Sequence, residues 1–316
     1  MAEVWTMGEL LCEVMRPKVD MPLDKTGQFL GPFPSGAPAI CIDTVARLGH
    51  SAGIIGCVGD DAFGSCLIDR LTDDGVDCTH IGVSPTGSTG VAFVAYAGDG
   101  SRTFLYHFAN TPAVEAKSPD LGDFTDVKFF HIMGCSLMAS ADFGAEIVKT
   151  MRGLVAKGAK VSFDPNVRTE LMSGPEVAGL IDDVMECCSV LLPGEAELLA
   201  ISRQPTIAAA VAKCFENDTL EVIVVKRGSR GCTVFTRDQE ASFGVYPVEV
   251  QDATGAGDSF DSAFLCGLLD GRPLAEIVKM ATAAAALNTA AFGPMEGDIS
   301  PETLRAMMAS PLSQPE

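Results

Sequence analysis

The stretch Asp252-Ala253-Thr254-Gly255-Ala256-Gly257-Asp258-Ser259-Phe260 is a glycine-bearing turn that runs into an apolar-periodic segment. Gly255 and Gly257 can take positive φ and carry no Cβ, so their N–H groups can converge on one point and approach a ligand closely. Phe260, Ala263, Phe264, Gly267 and Leu268 follow at helical spacing, which puts the turn at a helix N-terminus. That end offers unpaired N–H groups and the positive pole of the helix dipole, a site for phosphate or a developing oxyanion. Asp258, in the first turn, is expected to stay ionised there. A carboxylate beside an anion cradle suits a base that takes a proton from a hydroxyl attacking a phosphoryl group. Taken alone, the stretch also fits an ordinary Gly-rich turn in which Asp258 caps a helix.

With 316 residues the chain can bury a large core, either as two domains or as one large α/β unit. It has no uncharged apolar run of about 18 residues, which argues against a membrane span, and its N-terminus lacks the layout of a secretory signal. A formal charge of −20 disfavours nucleic acid as a partner and requires that any ATP site gather positive charge locally, through Mg²⁺ and a few basic residues. Eleven cysteines without metal spacing read as reduced thiols of a cytoplasmic chain, and the four histidines are too scattered for a zinc site.

Outward from the turn, strands alternate with helices. Val4 to Met15 reads as one strand, and Ser35-Gly36-Ala37-Pro38 opens a helix through Leu48 with Ser35 as its cap. A strand over Ala52 to Val58 ends at Gly59-Asp60-Asp61, before a helix to about Asp74. Thr89 to Tyr96 and Arg102 to Phe108 form a hairpin, read as a small β-rich lid. Strands at 127–131, Lys160 to Phe163, Val190 to Leu192 and Glu221 to Val225 alternate with helices, one from about Ala139 to Ala156. A β-rich patch, Cys232 to Val248, leads back to the turn. Helices Gly257 to Leu269 and Leu274 to Ala291 close the core, and Ser310 to Glu316 reads as a frayed tail. This alternation predicts an α/β fold with a mostly parallel sheet covered on both faces and ligands at the carboxyl ends of its strands.

The turn, with Ser35-Gly36-Ala37-Pro38-Ala39, Ala46-Arg47-Leu48-Gly49 and Val58-Gly59-Asp60-Asp61-Ala62-Phe63-Gly64 before it, resembles the ribokinase-like carbohydrate kinases, the PfkB family, over nearly the whole chain. The resemblance implies a three-layer α/β/α sandwich over residues 1–309, with a lid from about 10–34 and 86–110 and a tail at 310–316. It implies transfer of the ATP γ-phosphoryl group to a sugar hydroxyl with Mg²⁺, Asp258 acting as base and the amides of Gly255, Ala256 and Gly257 as anion hole. Asp164, Asn166 and Arg168 match the family's D-x-N-x-R pattern, facing phosphate and substrate. Glu197 matches the acid of its N-x-x-E pattern, which holds Mg²⁺ through water, although Gly194 stands where the family has Asn. Lys226, Gly228, Thr254 and Asn288 fall where relatives approach ATP, Asn288 on the adenine side.

For the acceptor, the resemblance points to Glu13, Ser35, Gly36 and Ala37, with Arg102 and Tyr106 from the lid. Glu13 stands where relatives often have Asp, and Ile40 where they have Asn. Relatives acting on keto-deoxy-sugar acids carry a late lid Arg, absent from Tyr106 to Ala113, and Arg102 is about five residues too early. This favours a neutral ketohexose, fructose or tagatose, over 2-keto-3-deoxygluconate, because a buried carboxylate without a charged partner is costly. No extra aromatic slot for a nucleoside base is evident near the lid. Two other classes compete: a sugar sensor without catalysis, and a dinucleotide oxidoreductase, against which Phe260 stands at the third glycine position. The lid also offers an edge that a second subunit could cover, as a homodimer.

Overall fold

A computed structural model of the chain describes residues 2–98, 100–167 and 175–315. The stretch expected as one strand from Val4 to Met15 is two: β1 (Val4–Met7) enters a large sheet and β2 (Leu11–Met15) a small one. Gly8 lies between them, and a Cβ there would stand 2.2 Å from Pro38 Cγ and 2.6 Å from Ser136 Oγ. The chain therefore leaves the main sheet through a gap only glycine fits.

The chain continues through β3 (Leu30–Ser35), α1 (Ala37–Arg47), β4 (Ala52–Gly59), α2 (Ala62–Asp73) and β5 (Asp77–Ser84). Next come β6 (Gly90–Tyr96), β7 (Arg102–His107) and β8 (Phe129–Met133), then α3 (Gly134–Ala139), α4 (Ala141–Val155), β9 (Lys160–Asp164), α5 (Pro175–Cys187) and β10 (Cys188–Leu191). The last third holds α6 (Glu195–Ser202), α7 (Ile207–Cys214), β11 (Val222–Lys226), β12 (Cys232–Phe235), β13 (Glu240–Phe243), α8 (Ala256–Leu269), α9 (Leu274–Thr289) and α10 (Pro301–Met308).

Nine strands form the large sheet in the order β13-β12-β11-β10-β9-β8-β1-β4-β5. All its pairs are parallel except β11 with β12 and β12 with β13. Successive residues face opposite sides. Val4 and Phe129 pack with α1, α2, α8, α9 and α10 on one face. Trp5 and Phe130 pack with α4, α5, α6 and α7 on the other. Each large buried side chain contributes roughly 1.5–3 kcal/mol relative to exposure, so the two apolar faces hold the three layers together.

Two further expectations are corrected, and one strand was not expected. Ser140 has extended backbone and its Oγ accepts from Phe143 N–H at 3.1 Å, so the helix expected from Ala139 starts anew there as α4. β5, for which no strand was expected, is the outer edge of the main sheet. The tail expected to fray is tied at Ser313, whose N–H donates to the Val245 carbonyl at 2.8 Å.

The second sheet, in the order β3-β2-β6-β7, is the lid. Asp61 anchors it: as N-cap of α2 its carboxylate accepts from Phe63 and Gly64 N–H, and also from Thr89 N–H and Oγ at 2.8 Å each. The loop after α9 is fixed from its outer side. Arg47 of α1 donates to the Met295 and Gly297 carbonyls, and Arg70 of α2 to that of Met295. Both guanidiniums lie within 3.7 Å of the buried Asp43 carboxylate.

Inside the sheet, His131 on β8 is paired in register with Ser162 on β9, its Nδ1 lying 2.8 Å from Ser162 Oγ. Burial pushes this imidazole down to about 4, from an ordinary 6.5, so it stays neutral. As pH falls from about 6.5 toward about 4, the unfolded chain takes up a proton that the folded chain refuses, and stability is lost over that window. His131→Gln should remove this part of the acid sensitivity, bringing urea midpoints measured near pH 7.5 and near pH 5 closer together than in the unmodified chain. An unchanged gap would clear the imidazole.

Candidate active site

The carboxyl ends of β1, β8, β9 and β11 open into one cavity of about 540 Å³, closed from the other side by α8 and the lid. Ligand sites belong there in parallel sheets, because the loops diverge beyond the strand ends.

Gly255 is the N-cap of α8, with φ 79° in the left-handed region. A Cβ on it would stand 2.4 Å from the Pro294 carbonyl oxygen and 3.1 Å from Ile40 Cγ2. Ile40, unexpected in a sugar site, thus packs against the turn. The turn is stitched from behind by Asp252, whose carboxylate accepts from Thr254 N–H and Oγ and from Gly293 N–H. Asn288 belongs to the same stitching: it is buried and its Nδ2 donates to the Thr254 carbonyl at 2.6 Å, so it does not line the cavity. Gly255 and Gly257 line the cavity at the start of α8, where helix geometry leaves N–H groups without intrahelical partners. Ala256 does not line it, and its N–H reaches the Ala253 carbonyl at 3.4 Å.

Asp258 lines the cavity from the first turn of α8, 7% exposed, and its Oδ1 lies 3.4 Å from Asn166 Nδ2. Asn166 has φ 37°, a conformation of higher energy for a side-chain-bearing residue, and its N–H donates to Asp164 Oδ1 at 3.1 Å. Arg168 lies outside the described residues.

Lys226 is no exposed surface lysine. Its Nζ lies 2.9 Å from Asp164 Oδ2 and 3.1 and 2.9 Å from the two Asp261 oxygens, and 3.7 Å from where a Gly257 Cβ would stand. Burial alone would lower this ammonium, but Asp164 and Asp261 outweigh it and hold it above the ordinary lysine range. Burial raises Asp164 too, yet Lys226 brings it below the usual carboxylate range. Asp261, deeper in the helix layer, is driven well above it. Asp261 carried no signal in the sequence: a polar residue one turn beyond Asp258 gains meaning only from Lys226, far away in the chain.

Glu197 also lines the cavity, and both its oxygens accept backbone N–H groups, from Val167 at 2.8 Å and Gly194 at 2.7 Å. Its carboxyl is raised by burial and by the neighbouring Asp164. Among the described residues no three His, Cys, Asp or Glu side chains are arranged to hold a metal directly. Gly228, at φ 58°, lines the same end of the cavity.

At the opposite end, Ser35 is not the cap of α1, a place taken by Gly36. Its hydroxyl donates to Glu13 Oε1 at 2.7 Å. Gly36 has φ 105° and a Cβ there would stand 2.4 Å from the Glu9 carbonyl oxygen, which sets Ala37 and the start of α1 close to β2. Glu9, which sequence reading passed over, is buried, lines the cavity, and accepts from Ser136 Oγ at 2.5 Å. Strand alternation puts Arg102, Phe104 and Tyr106 on the inner face of the lid, and Phe108 follows them there. The cavity therefore has the aromatic wall that no sequence signal had suggested, its Phe104 and Tyr106 rings 5.4 Å apart and nearly parallel. Arg102, expected beside the acceptor and too early by spacing for the Arg of the sugar-acid relatives, reaches the turn before α8, where Nη1 donates to Thr254 Oγ1 at 2.9 Å.

Comparison with known proteins identifies the family and the fold. The description of the pfkB family carbohydrate kinases matches residues 4–301. A fructokinase of Salmonella typhimurium is 30% identical over 302 residues, covering 93% of this chain and 95% of its own. An E. coli structure designated ribokinase II, in complex with ATP and Mg²⁺, superposes with a TM-score of 0.92 at 37% identity, over 98% of this chain and 99% of that one. A double mutant of Vibrio cholerae fructokinase bound to fructose, ADP and potassium gives 0.85 at 26% identity, over 98% of each chain. The fold is ribokinase-like, and the chain belongs to the pfkB family of carbohydrate kinases.

Proposed function

We propose that this sugar kinase transfers the γ-phosphoryl group of ATP to a hydroxyl of a small neutral ketohexose, of the fructose or tagatose type. One observation carries the reading: the Asp258 carboxylate, the Gly255 and Gly257 turn, and the Glu13–Ser35 pair line a single cavity. Glu13 and Ser35 orient the acceptor, since a carboxylate accepts hydrogen bonds from sugar hydroxyls. Asp258 takes the proton from the attacking hydroxyl, and the N–H groups at the start of α8 meet the charge that develops on the transferred group. Thr254 and Arg102 border that group, and Gly228 and Lys226 the nucleotide end. The buried carboxylates of Glu9 and Glu13 at the acceptor end would repel an acidic sugar, which favours a neutral one.

Mg²⁺ fits the donor set. Asp164, Asp261 and Glu197 surround a single ammonium, so the cluster tolerates added positive charge, and Asp164 and Glu197 would hold the ion through water. When bound, it would supply positive charge that offsets the charge of the ATP phosphates. The compartment proposed is the reducing cytoplasm. The outer face of the lid, where Val14, Phe93 and Leu105 are in register and Leu105 is 48% exposed, is proposed as a homodimer contact.

The aromatic wall favours a second acceptor class, because the Phe104 and Tyr106 rings could stack on a planar base. ADP release measured across fructose, tagatose, 2-keto-3-deoxygluconate, ribose and adenosine separates the two. No release with any acceptor would make the protein a sugar sensor. Asp258→Asn should lower turnover by at least ~10²-fold while ATP and sugar still bind, and unchanged turnover would end its role as base. Glu13→Ala should raise the KM for the sugar far more than that for ATP; equal changes in both would make Glu13 structural.

A further inference from the structure

The polar groups around Asp258 close into a ring. Asp258 and Asp261 stand one turn apart on α8, and Asp261 meets the Lys226 ammonium. That ammonium meets Asp164 at the end of β9, Asp164 accepts from the Asn166 N–H, and Asn166 Nδ2 faces Asp258 Oδ1. Four members line the cavity: Asp258, Lys226, Asp164 and Asn166. Asp261 does not, and it is fully buried.

An ammonium has three donors, and here three carboxylate oxygens already lie within 3.1 Å of it. It thus serves first as a cross-brace between the helix that carries Asp258 and the strand end that carries Asn166, and its contacts are shorter than their other link in the ring, the 3.4 Å contact of Asn166 Nδ2 with Asp258 Oδ1. A buried ammonium held on one side only would move toward its remaining partner.

We infer that Asp261 is a positioning residue for the reaction: acting through Lys226, it fixes the first turn of α8 against β9 and so holds Asp258 where the attacking hydroxyl must arrive. The inference rests on Asp258 being the base. Base catalysis is sensitive to displacements well below the size of a side chain, whereas binding at the cavity walls is not.

The test is a mutant cycle read as kcat and KM separately. Asp261→Leu, of similar shape without polar atoms, should lower kcat about 10-fold or more and leave the KM of ATP and of sugar within about 3-fold. Asp261→Asn, which keeps an oxygen facing Lys226, should recover much of that loss. In an Asp258→Asn background, Asp261→Leu should cost nothing further, because the group it positions is already gone. An unchanged kcat, a change confined to KM, or the full loss repeated in the Asp258→Asn background would each overturn the assignment. Should Asp261→Leu fail to fold, Asp261→Ala, smaller and also without a polar side-chain atom, cuts the same brace away from the cavity and must give the same cycle. Hydrogen exchange over residues 253–262, faster in Asp261→Leu than in the unmodified chain, tests the brace without any turnover, and equal exchange would overturn it. A chain that releases no ADP with any acceptor but shows the faster exchange would refute the kinase chemistry and leave the brace standing.

Discussion

A buried ammonium shared between the Asp164 carboxylate and the Asp261 carboxyl group is the interaction on which this end of the fold depends. Lys226 ends β11, Asp164 ends β9 and Asp261 sits inside α8, so one side chain joins the sheet to the helix layer at the point where both open into the cavity. Such a group is expensive to bury unless its partners are well placed, and that requirement fixes the geometry in return. The strained backbone of Asn166 lies in the same network, where surrounding contacts can hold it.

The lid makes its own contribution from the other side. Arg102 bonds Thr254, while Phe33 and Tyr96 pack their rings against Phe292 in the loop that supports the turn. The turn is thus held from above by the lid, from below by Lys226 and from behind by Asp252 and Asn288. Preorganised donors gain most from such restraint, because they do not reorient as charge develops.

Much of this was legible in the sequence where chemistry is local. The glycines, the helical spacing after them and Asp258 announced the turn, and the alternation of strands and helices announced the layered sheet. What stayed hidden depends on distant residues meeting. A largely apolar stretch gave no sign that Val4 to Met15 changes sheets at Gly8, because both halves are buried. β5 escaped because an edge strand with Asp77, Thr79 and His80 in it carries little apolar alternation. Ser35 looks like a helix cap until Glu13 is seen beside it, and Asp261 looks like any polar helix residue until Lys226 arrives. Phe104, Tyr106 and Phe108 stand two residues apart, a spacing that does mark one face of a strand, but only the closed lid shows which face meets the cavity.

The two arginines that clamp Met295 and Gly297 sit on α1 and α2, outside the cavity, and the loop they hold presses Pro294 onto Gly255. The turn before α8 therefore has a support that lies outside the cavity. Changes to Arg47, Arg70 or the Asp43 carboxylate between them can shift the turn without touching a residue that lines the cavity. The turn thus rests on two separate sets of contacts, the lid on its cavity side and these helices on its far side.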